Sequence, residues 1–424
     1  MAFRFVHTAD IHLDSPLRSL AMRNPELAEI VGDASRKAFI SIVDLCLLER
    51  VDAVVIAGDL YDGDQTSMKT ARFLATQMAR LHEAGVKVLK IRGNHDALSR
   101  ISKQLIFPDT VTIFGGRPST VVHGATGLDV AFHGLSFSHS KAPESLLPRY
   151  ASPTAGAVNV GIMHTSLAGA PGHDVYAPCN VADLHGHGFD YWALGHIHSR
   201  TVHAGARTVV MPGMPQGRDI NEGGEKSVTL VTVHDDHSIE IEHRATSIAQ
   251  FERATVDIGD AVEWSDIVRS IRARIEELRA SVGAPHLVLR LTAMGSGPLA
   301  WQVIRDRDLL LTEAEQAGAQ TGSVWIEKLE LDVTPPIEAA GGADPVHELI
   351  ETMRSSARSE SFRSQARDVI NRVINELPVE ARDFAGTNEA AANDFLERLM
   401  SAGADLVAAR LKDRSAPLDF AGSI

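Results

Sequence analysis

The chain has 424 residues, 44% hydrophobic and 23% charged, averages that exclude a mainly disordered, collagenous or fibrous protein and suggest two or three domains. Its 41 lysines and arginines against 55 acidic residues give a formal charge of −14, so diffuse attraction cannot bring it to nucleic acid and any phosphate contact must be local. Two cysteines exclude a disulfide scaffold or a thiolate cluster, no apolar run reaches the roughly 20 residues of a membrane helix, and the opening lacks a signal peptide's features, so a reducing, cytoplasmic, membrane-free setting is expected.

Residues 1–245 alternate short β-branched runs with amphipathic stretches, the pattern of a layered α/β domain. Strands are expected at Phe3–Thr8, Ala53–Ala57, Val86–Ile91, Val130–Leu135, Val158–Met163, Tyr191–Leu194, Thr208–Met211, Val228–Val233 and Ile239–His243, with helices at Ser35–Arg50 and Lys69–Ala84. Cys46 lies among Ile42, Val43, Leu45 and Leu47 and is expected to pack there, whereas Cys179 has no role legible from its neighbours. Residues 246–334 read as a small α/β cap: strand Ala254–Val256, helix Trp264–Ser281, strand Leu287–Leu291, a helix near Leu299–Ala317 and strand Val324–Leu331. Residues 335–345, rich in proline and glycine, read as a linker, and 346–424 as a helical tail. The tail's apolar positions, Phe362, Val369, Ile370, Val373 and Ile374 and later Phe395, Leu396, Leu399, Leu406 and Val407, suit either its own core or a docking surface for a partner helix.

Histidine is unusually frequent, 19 residues where average usage gives roughly half as many, which invites a search for metal ligands. Five segments share one design, an apolar strand that ends in carboxylate, amide or imidazole groups: Asp10-Ile11-His12, Gly58-Asp59, Gly93-Asn94-His95-Asp96, His164, and Gly195-His196-Ile197-His198. In α/β sheets ligands bind beyond the carboxyl ends of the strands, where all five would deliver their polar groups. Residues two apart, 10 with 12 and 196 with 198, project to one side if the backbone stays extended. A lone aspartate after a strand is ordinarily a turn or a cap and a lone histidine ordinarily packs, but five such elements in order point to a metal centre. The donor count suits two ions sharing Asp59, and the mixed donors suit Mn, with Fe or Zn as alternatives, better than Ca or Mg. His173, in the loop 169–176, is a further candidate to approach a substrate.

This ordered set, D-x-H, G-D, G-N-H-D, a lone His and G-H-x-H, resembles the calcineurin-like metallophosphoesterase superfamily. The opening Thr8-Ala9-Asp10-Ile11-His12-Leu13-Asp14, the turn Gly58-Asp59-Leu60-Tyr61-Asp62, and the stretches His164-Thr165-Ser166-Leu167, Tyr176-Ala177-Pro178-Cys179 and Tyr191-Trp192-Ala193-Leu194-Gly195-His196 are similar to its SbcD/YhaO-type branch of DNA repair exonucleases. The resemblance implies a four-layer α-β-β-α sandwich, one ion held by Asp10, His12, Asp59 and His198, and a second by Asp59, Asn94, His164 and His196. It leaves His95 unligated, facing the scissile phosphate as the proton donor to the leaving group. Asp62 matches the position where phosphatase members carry an aspartate that orients this imidazole, whereas archaeal and eukaryotic repair nucleases often carry histidine there.

Two functions are compatible with these residues. The first is a metal-dependent DNA exonuclease or endonuclease, working as a homodimer and docking an SMC-like ATPase through its helical tail. The second is a small-molecule or nucleotide phosphodiesterase with the same metal centre, which the net charge of −14 favours.

Overall fold

Runs such as Phe3–Thr8 and Ala53–Ala57 are buried along nearly their whole length, which requires a covering layer on each face of the sheet that holds them. The computed structural model describes residues 2–15, 25–62, 67–97, 106–125, 127–167, 176–335, 345–377, 382, 385–386 and 388–414. His173 and positions 336–344 of the expected linker lie outside the described residues.

The chain forms two compact units. The first comprises Met1–Arg253, Leu278–Arg290 and Ser323–Glu327. Its strands are β1 (Phe3–Thr8), β2 (Ala53–Ala57), β3 (Lys87–Ile91), β4 (Val111–Ile113), β5 (Ser119–Ala125), β6 (Leu128–Gly134), β7 (Val158–His164), β8 (Tyr191–Gly195), β9 (Thr201–His203), β10 (Thr208–Met211), β11 (Ser227–Val233) and β12 (Ile239–Ala245). They make two six-stranded sheets, ordered β12-β11-β1-β2-β3-β4 and β5-β6-β7-β8-β10-β9. From β1 to β4 the pairing is parallel, as it is from β6 through β7 and β8 to β10, while β11, β12, β5 and β9 join antiparallel.

Alternation along the strands builds the layers. Phe3, Phe5, Ala53, Val55, Leu89 and Ile91 from one sheet pack against Phe132, Val158, Val160, Tyr191 and Ala193 from the other. The intervening Val6, Val54, Ile56 and Val88 face outward onto helices α1 (Pro25–Glu49) and α2 (Met68–Glu83), through Phe39, Ile42, Val43, Leu74, Met78 and Leu81. On the other side Met163, Trp192 and Leu194 face Leu184 of the helix Val181–His187. The result is the four-layer α-β-β-α arrangement. Cys46 belongs to the α1 core, and burial pushes its thiol up to about 12, so it packs rather than reacts. Cys179 is buried as well, with its sulfur 3.5 Å from the Thr165 hydroxyl.

A buried histidine sits between the sheets. His7 accepts a hydrogen bond at Nδ1 from the Tyr191 hydroxyl (2.9 Å) and donates from Nε2 to the Leu194 carbonyl (2.9 Å). Burial lowers its pKa from 6.5 to about 3. The imidazole is therefore neutral in both folded and unfolded chains above pH 6.5, where its stabilisation is fully present. As pH falls from 6.5 toward 3, the unfolded chain binds a proton that the folded one refuses, and stability is lost at up to about 1.4 kcal/mol per pH unit. His7→Gln, which can keep both hydrogen bonds without titrating, should show a shallower loss between pH 6.5 and 4.5 in denaturant melts. Identical slopes for the two proteins would refute a neutral, buried His7.

The second unit comprises Ala254–Glu277, Leu291–Gly322 and Lys328–Ile424. A third sheet is ordered β13 (Ala249–Asp257), β14 (His286–Gly295) and β15 (Val324–Val333). The single helix expected near Leu299–Ala317 is two, Ala300–Arg305 and Arg307–Thr321, broken at Asp306. Tail helices run Pro345–Ala357, Glu360–Glu376 and Glu389–Arg414, and ion pairs Arg354–Asp405 (2.9 Å) and Arg363–Glu397 tie the third to the other two. On the middle helix Phe362, Val369 and Val373 are 46%, 50% and 47% exposed, whereas Leu396 of the last is buried. No helix among the described residues is long and apolar enough to cross a membrane.

Candidate metal centre

The donors gather at the carboxyl ends of β1, β2, β3, β7 and β8, because parallel strands present their following loops on one edge of each sheet. The loop after β1 is laced to the loop after β2 by backbone bonds from Asp10, His12 and Leu13 nitrogens to the Gly58, Asp59 and Leu60 carbonyls (3.0–3.1 Å). Convergence of Asp10 with His12 does not come from an extended pleat, however. Both residues take the left-handed conformation (φ 52° and 46°), as do Asp59 (φ 50°) and His196 (φ 104°), because the chain must curl back over the strand ends.

Two donor groups result. Asp10, His12 and His198 present ligand atoms within 4.8 Å of one another, and so do Asp59, His164 and His196. In the first, His12 Nε2 and His198 Nε2 face each other at 3.2 Å, and Asp10 Oδ2 accepts from the His196 backbone N–H (2.8 Å). In the second, His164 Nε2 lies 3.2 Å from Asp59 Oδ2 and 2.9 Å from Asn94 Oδ1, which is also 3.2 Å from His196 Nδ1. His164 Nδ1 donates to the Ala57 carbonyl (2.9 Å), which aims Nε2 into the site. A Cβ on Gly93 would come within 2.6 Å of that Nε2, so only glycine lets this loop approach.

The donor set fits divalent ions. Asp10 Oδ1 is buried without a hydrogen-bond partner among the described residues, a cost that a cation would remove. Burial raises the Asp10 pKa. Burial would depress protonation of His164, but the adjoining Asp59 carboxylate outweighs it and pushes the imidazole up to about 9; the same contact, against burial, holds Asp59 below the usual carboxylate range. A dication on these atoms would displace that proton. Carboxylate, amide and imidazole donors with no thiolate suit Mn, Fe or Zn.

A third group, His12, Asp62 and His95, borders the first two. Asp62 Oδ1 lies 2.7 Å from His12 Nδ1 and 3.2 Å from His95 Nδ1. Asp62 Oδ1 thereby links a candidate ligand, His12, to the candidate proton donor, His95, through one oxygen. The Asp62 hydrogen bond raises the His95 pKa, while burial opposes it. His95 is 45% exposed along its side chain, and its backbone N–H donates to Asp59 Oδ1 (2.9 Å).

Asp96 closes this turn: Oδ1 accepts from the Gly93 N–H (2.7 Å) and Oδ2 pairs with Lys90 Nζ (2.7 Å), with side chains 0% and 4% exposed. Lys90→Met would leave a buried carboxylate uncompensated and should cost about 3–5 kcal/mol in denaturant unfolding. Adding Asp96→Asn should recover part of that loss, and a double variant as unstable as the single one would contradict the pairing.

Two residues escaped the sequence reading. Glu222 accepts from His198 Nδ1 (2.8 Å), and Arg218 packs beside it; both belong to the loop after β10, some 20 positions beyond the Gly-His-Ile-His segment. The signal available was an Arg and a Glu four apart in a glycine-rich loop, which by itself reads as an ordinary turn.

The sequence matches the calcineurin-like phosphoesterase family over residues 3–200 and the middle domain of metallophosphoesterase YhaO over 251–334. It is 33% identical over 333 residues to an uncharacterized metallophosphoesterase YhaO of Bacillus subtilis, covering 77% of this chain and 81% of that one. Similarity extends to the DNA double-strand break repair protein Mre11 of Methanopyrus kandleri, 26% identical over 80% of this chain and 74% of that one. The SbcD component of the SbcCD nuclease of Rhodobacter capsulatus is 27% identical over a shorter stretch, 31% of this chain and 30% of that one. On its matched domains and its donor-lined strand ends, the chain belongs to the calcineurin-like metallophosphoesterases, in their SbcD/YhaO-type branch.

Proposed function

We propose that this protein is a metal-dependent DNA exonuclease or endonuclease that hydrolyses phosphodiesters at a dimetal site. In this reading Asp10, His12, Asp59 and His198 hold one ion and Asp59, Asn94, His164 and His196 the other, with Mn as the metal. Bound there, the ions would neutralise phosphate oxygens and acidify a water. His95 carries the remaining chemistry: its raised pKa keeps a proton available near neutral pH, and its half-exposed ring can deliver that proton to an alkoxide leaving group. Asp62 steadies both His95 and His12. The observation that carries the reading is the Asp62 carboxylate, which sets His95 beside His12 of the first donor group while the His95 backbone N–H meets Asp59 of the second.

The similarity to Mre11 and to the SbcCD nuclease supports DNA as substrate. The half-exposed Phe362, Val369 and Val373 support a tail, residues 346–424, that docks an SMC-like ATPase. In this reading 1–245 is the core, 246–334 the cap and a cytoplasmic homodimer the working form. The charge of −14 favours the alternative of a small-molecule or nucleotide phosphodiesterase. Digestion of end-labelled duplex DNA with Mn, run beside a chromogenic phosphodiester, separates the two. Cleavage of both is expected; activity on the chromogenic ester alone would select the alternative.

A further inference from the structure

We propose that Arg218 is a phosphate-binding residue of this site, held rigid by Glu222 so that one edge of its guanidinium faces the substrate. The proposal rests on the phosphoester-hydrolase reading of the site and not on DNA as the substrate.

The Glu222 carboxylate takes one whole edge of the guanidinium. Arg218 Nη2 donates to Glu222 Oε1 (2.6 Å), Nε lies 3.2 Å and 3.1 Å from the two carboxylate oxygens, and the Arg218 backbone N–H donates to Oε2 (2.8 Å). The planar fork is fixed by this pairing, so little side-chain entropy remains to be lost when a ligand binds. The loop itself is nailed down. Gln216, 2% exposed, donates to the Gly217 and Ala249 carbonyls (2.8 and 2.7 Å) and accepts from the Ile248 and Ala249 N–H groups (2.8 and 3.2 Å). Gly213 (φ 74°) turns the chain where a Cβ would come within 2.9 Å of the His198 carbonyl, which ties this loop directly to the metal-donor segment.

The free edge points at the chemistry. Arg218 Nη1 has no hydrogen-bond acceptor among the described residues and lies 4.0 Å from Asp62 Oδ2. That distance is too long for a hydrogen bond, and Asp62 is the residue whose other oxygen meets His95 and His12. An arginine held along one edge, whose open Nη1 lies beside the carboxylate that meets His95, suits a phosphate oxygen, which is anionic and accepts in the guanidinium plane. His95 would then protonate the leaving oxygen while Arg218 binds a non-bridging one. No covalent step is added. If Arg218 were only the counterion of Glu222, its loss would be felt first at His198, the residue that Glu222 also holds.

The test uses the full chain loaded with Mn. Inorganic phosphate is titrated by calorimetry and as a competitive inhibitor of a chromogenic phosphodiester, for wild type, Arg218→Met and Arg218→Lys, with bound metal measured for each. Arg218→Met should weaken phosphate roughly 10- to 100-fold, the worth of one charge-assisted hydrogen bond, with metal content unchanged. Arg218→Lys, which keeps the charge and loses the fork, should fall between. Phosphate affinity within about 2-fold of wild type in both variants would overturn the assignment, and so would a loss of phosphate binding that merely tracks a loss of metal. Should the methionine variant fold poorly, the lysine variant decides alone, since unchanged affinity there refutes the fork. A wild-type protein that neither cleaves the diester nor binds phosphate would overturn the phosphoesterase reading together with this one. Wild-type phosphate binding that persists in both variants refutes Arg218 alone.

Discussion

Asp59→Asn is expected to release much more than half of the bound metal and to lower activity by orders of magnitude. In the proposed assignment Asp59 is the one ligand common to both ions; its Oδ2 lies 3.2 Å from His164 Nε2, and its loop backbone pairs with that of His12. On that assignment, removing its charge would leave each ion one anion short at once. The change is unusually clean on the folding side. Asparagine tolerates the left-handed backbone at this position (φ 50°) about as well as aspartate does, so the scaffold should stand. Metal analysis after dialysis, alongside turnover and a melting curve, reads both effects. A fully loaded and active variant would sink the shared-carboxylate assignment.

His95→Asn tests the proposed proton transfer apart from binding. Asparagine keeps a polar side chain at a half-exposed position, and the backbone N–H that holds Asp59 Oδ1 survives the change. Metal content should therefore stay constant. Turnover should fall roughly 10²–10⁴-fold on a substrate with an alkoxide leaving group, the usual worth of general acid catalysis, and much less on a nitrophenyl ester that leaves without a proton. Equal losses on the two substrates would mean that the imidazole positions phosphate rather than protonating the leaving oxygen.

How far these features could be read from sequence follows the range of the forces involved. The strands β1, β2 and β10 run where their β-branched composition places them, because a strand buried on both faces tolerates little else. The strands β4 and β9, three residues each, and the half-exposed β5 carry too few apolar positions to stand out from loops. Helix α1 begins ten residues earlier than its expected start at Ser35; Leu27, Val31 and Ala34 continue its buried stripe, a periodicity that was present to be read. In the site, the candidate donors announce themselves because each ends a strand or lies within four residues beyond one. Arg218 and Glu222 do not, since their partnership with His198 is made by the Gly213 turn and the Gln216 anchor. The link between Asp62 and His12 was hidden for a similar reason: it crosses from one loop to another.

The left-handed residues carry a further consequence. Asp10, His12, Asp59 and His196 each hold a positive-φ backbone that glycine adopts at little cost and that most L-residues, alanine among them, adopt only at a cost. Glycine at Asp59 should therefore give a dead protein that melts higher than the equally dead alanine variant, by about 1 kcal/mol in denaturant, because only glycine relieves the turn. Selection for a stable chain and selection for a working centre thus pull these four positions in opposite directions. A descendant released from catalysis would keep its strands and shed its donors first, with glycine accumulating where the donors had stood.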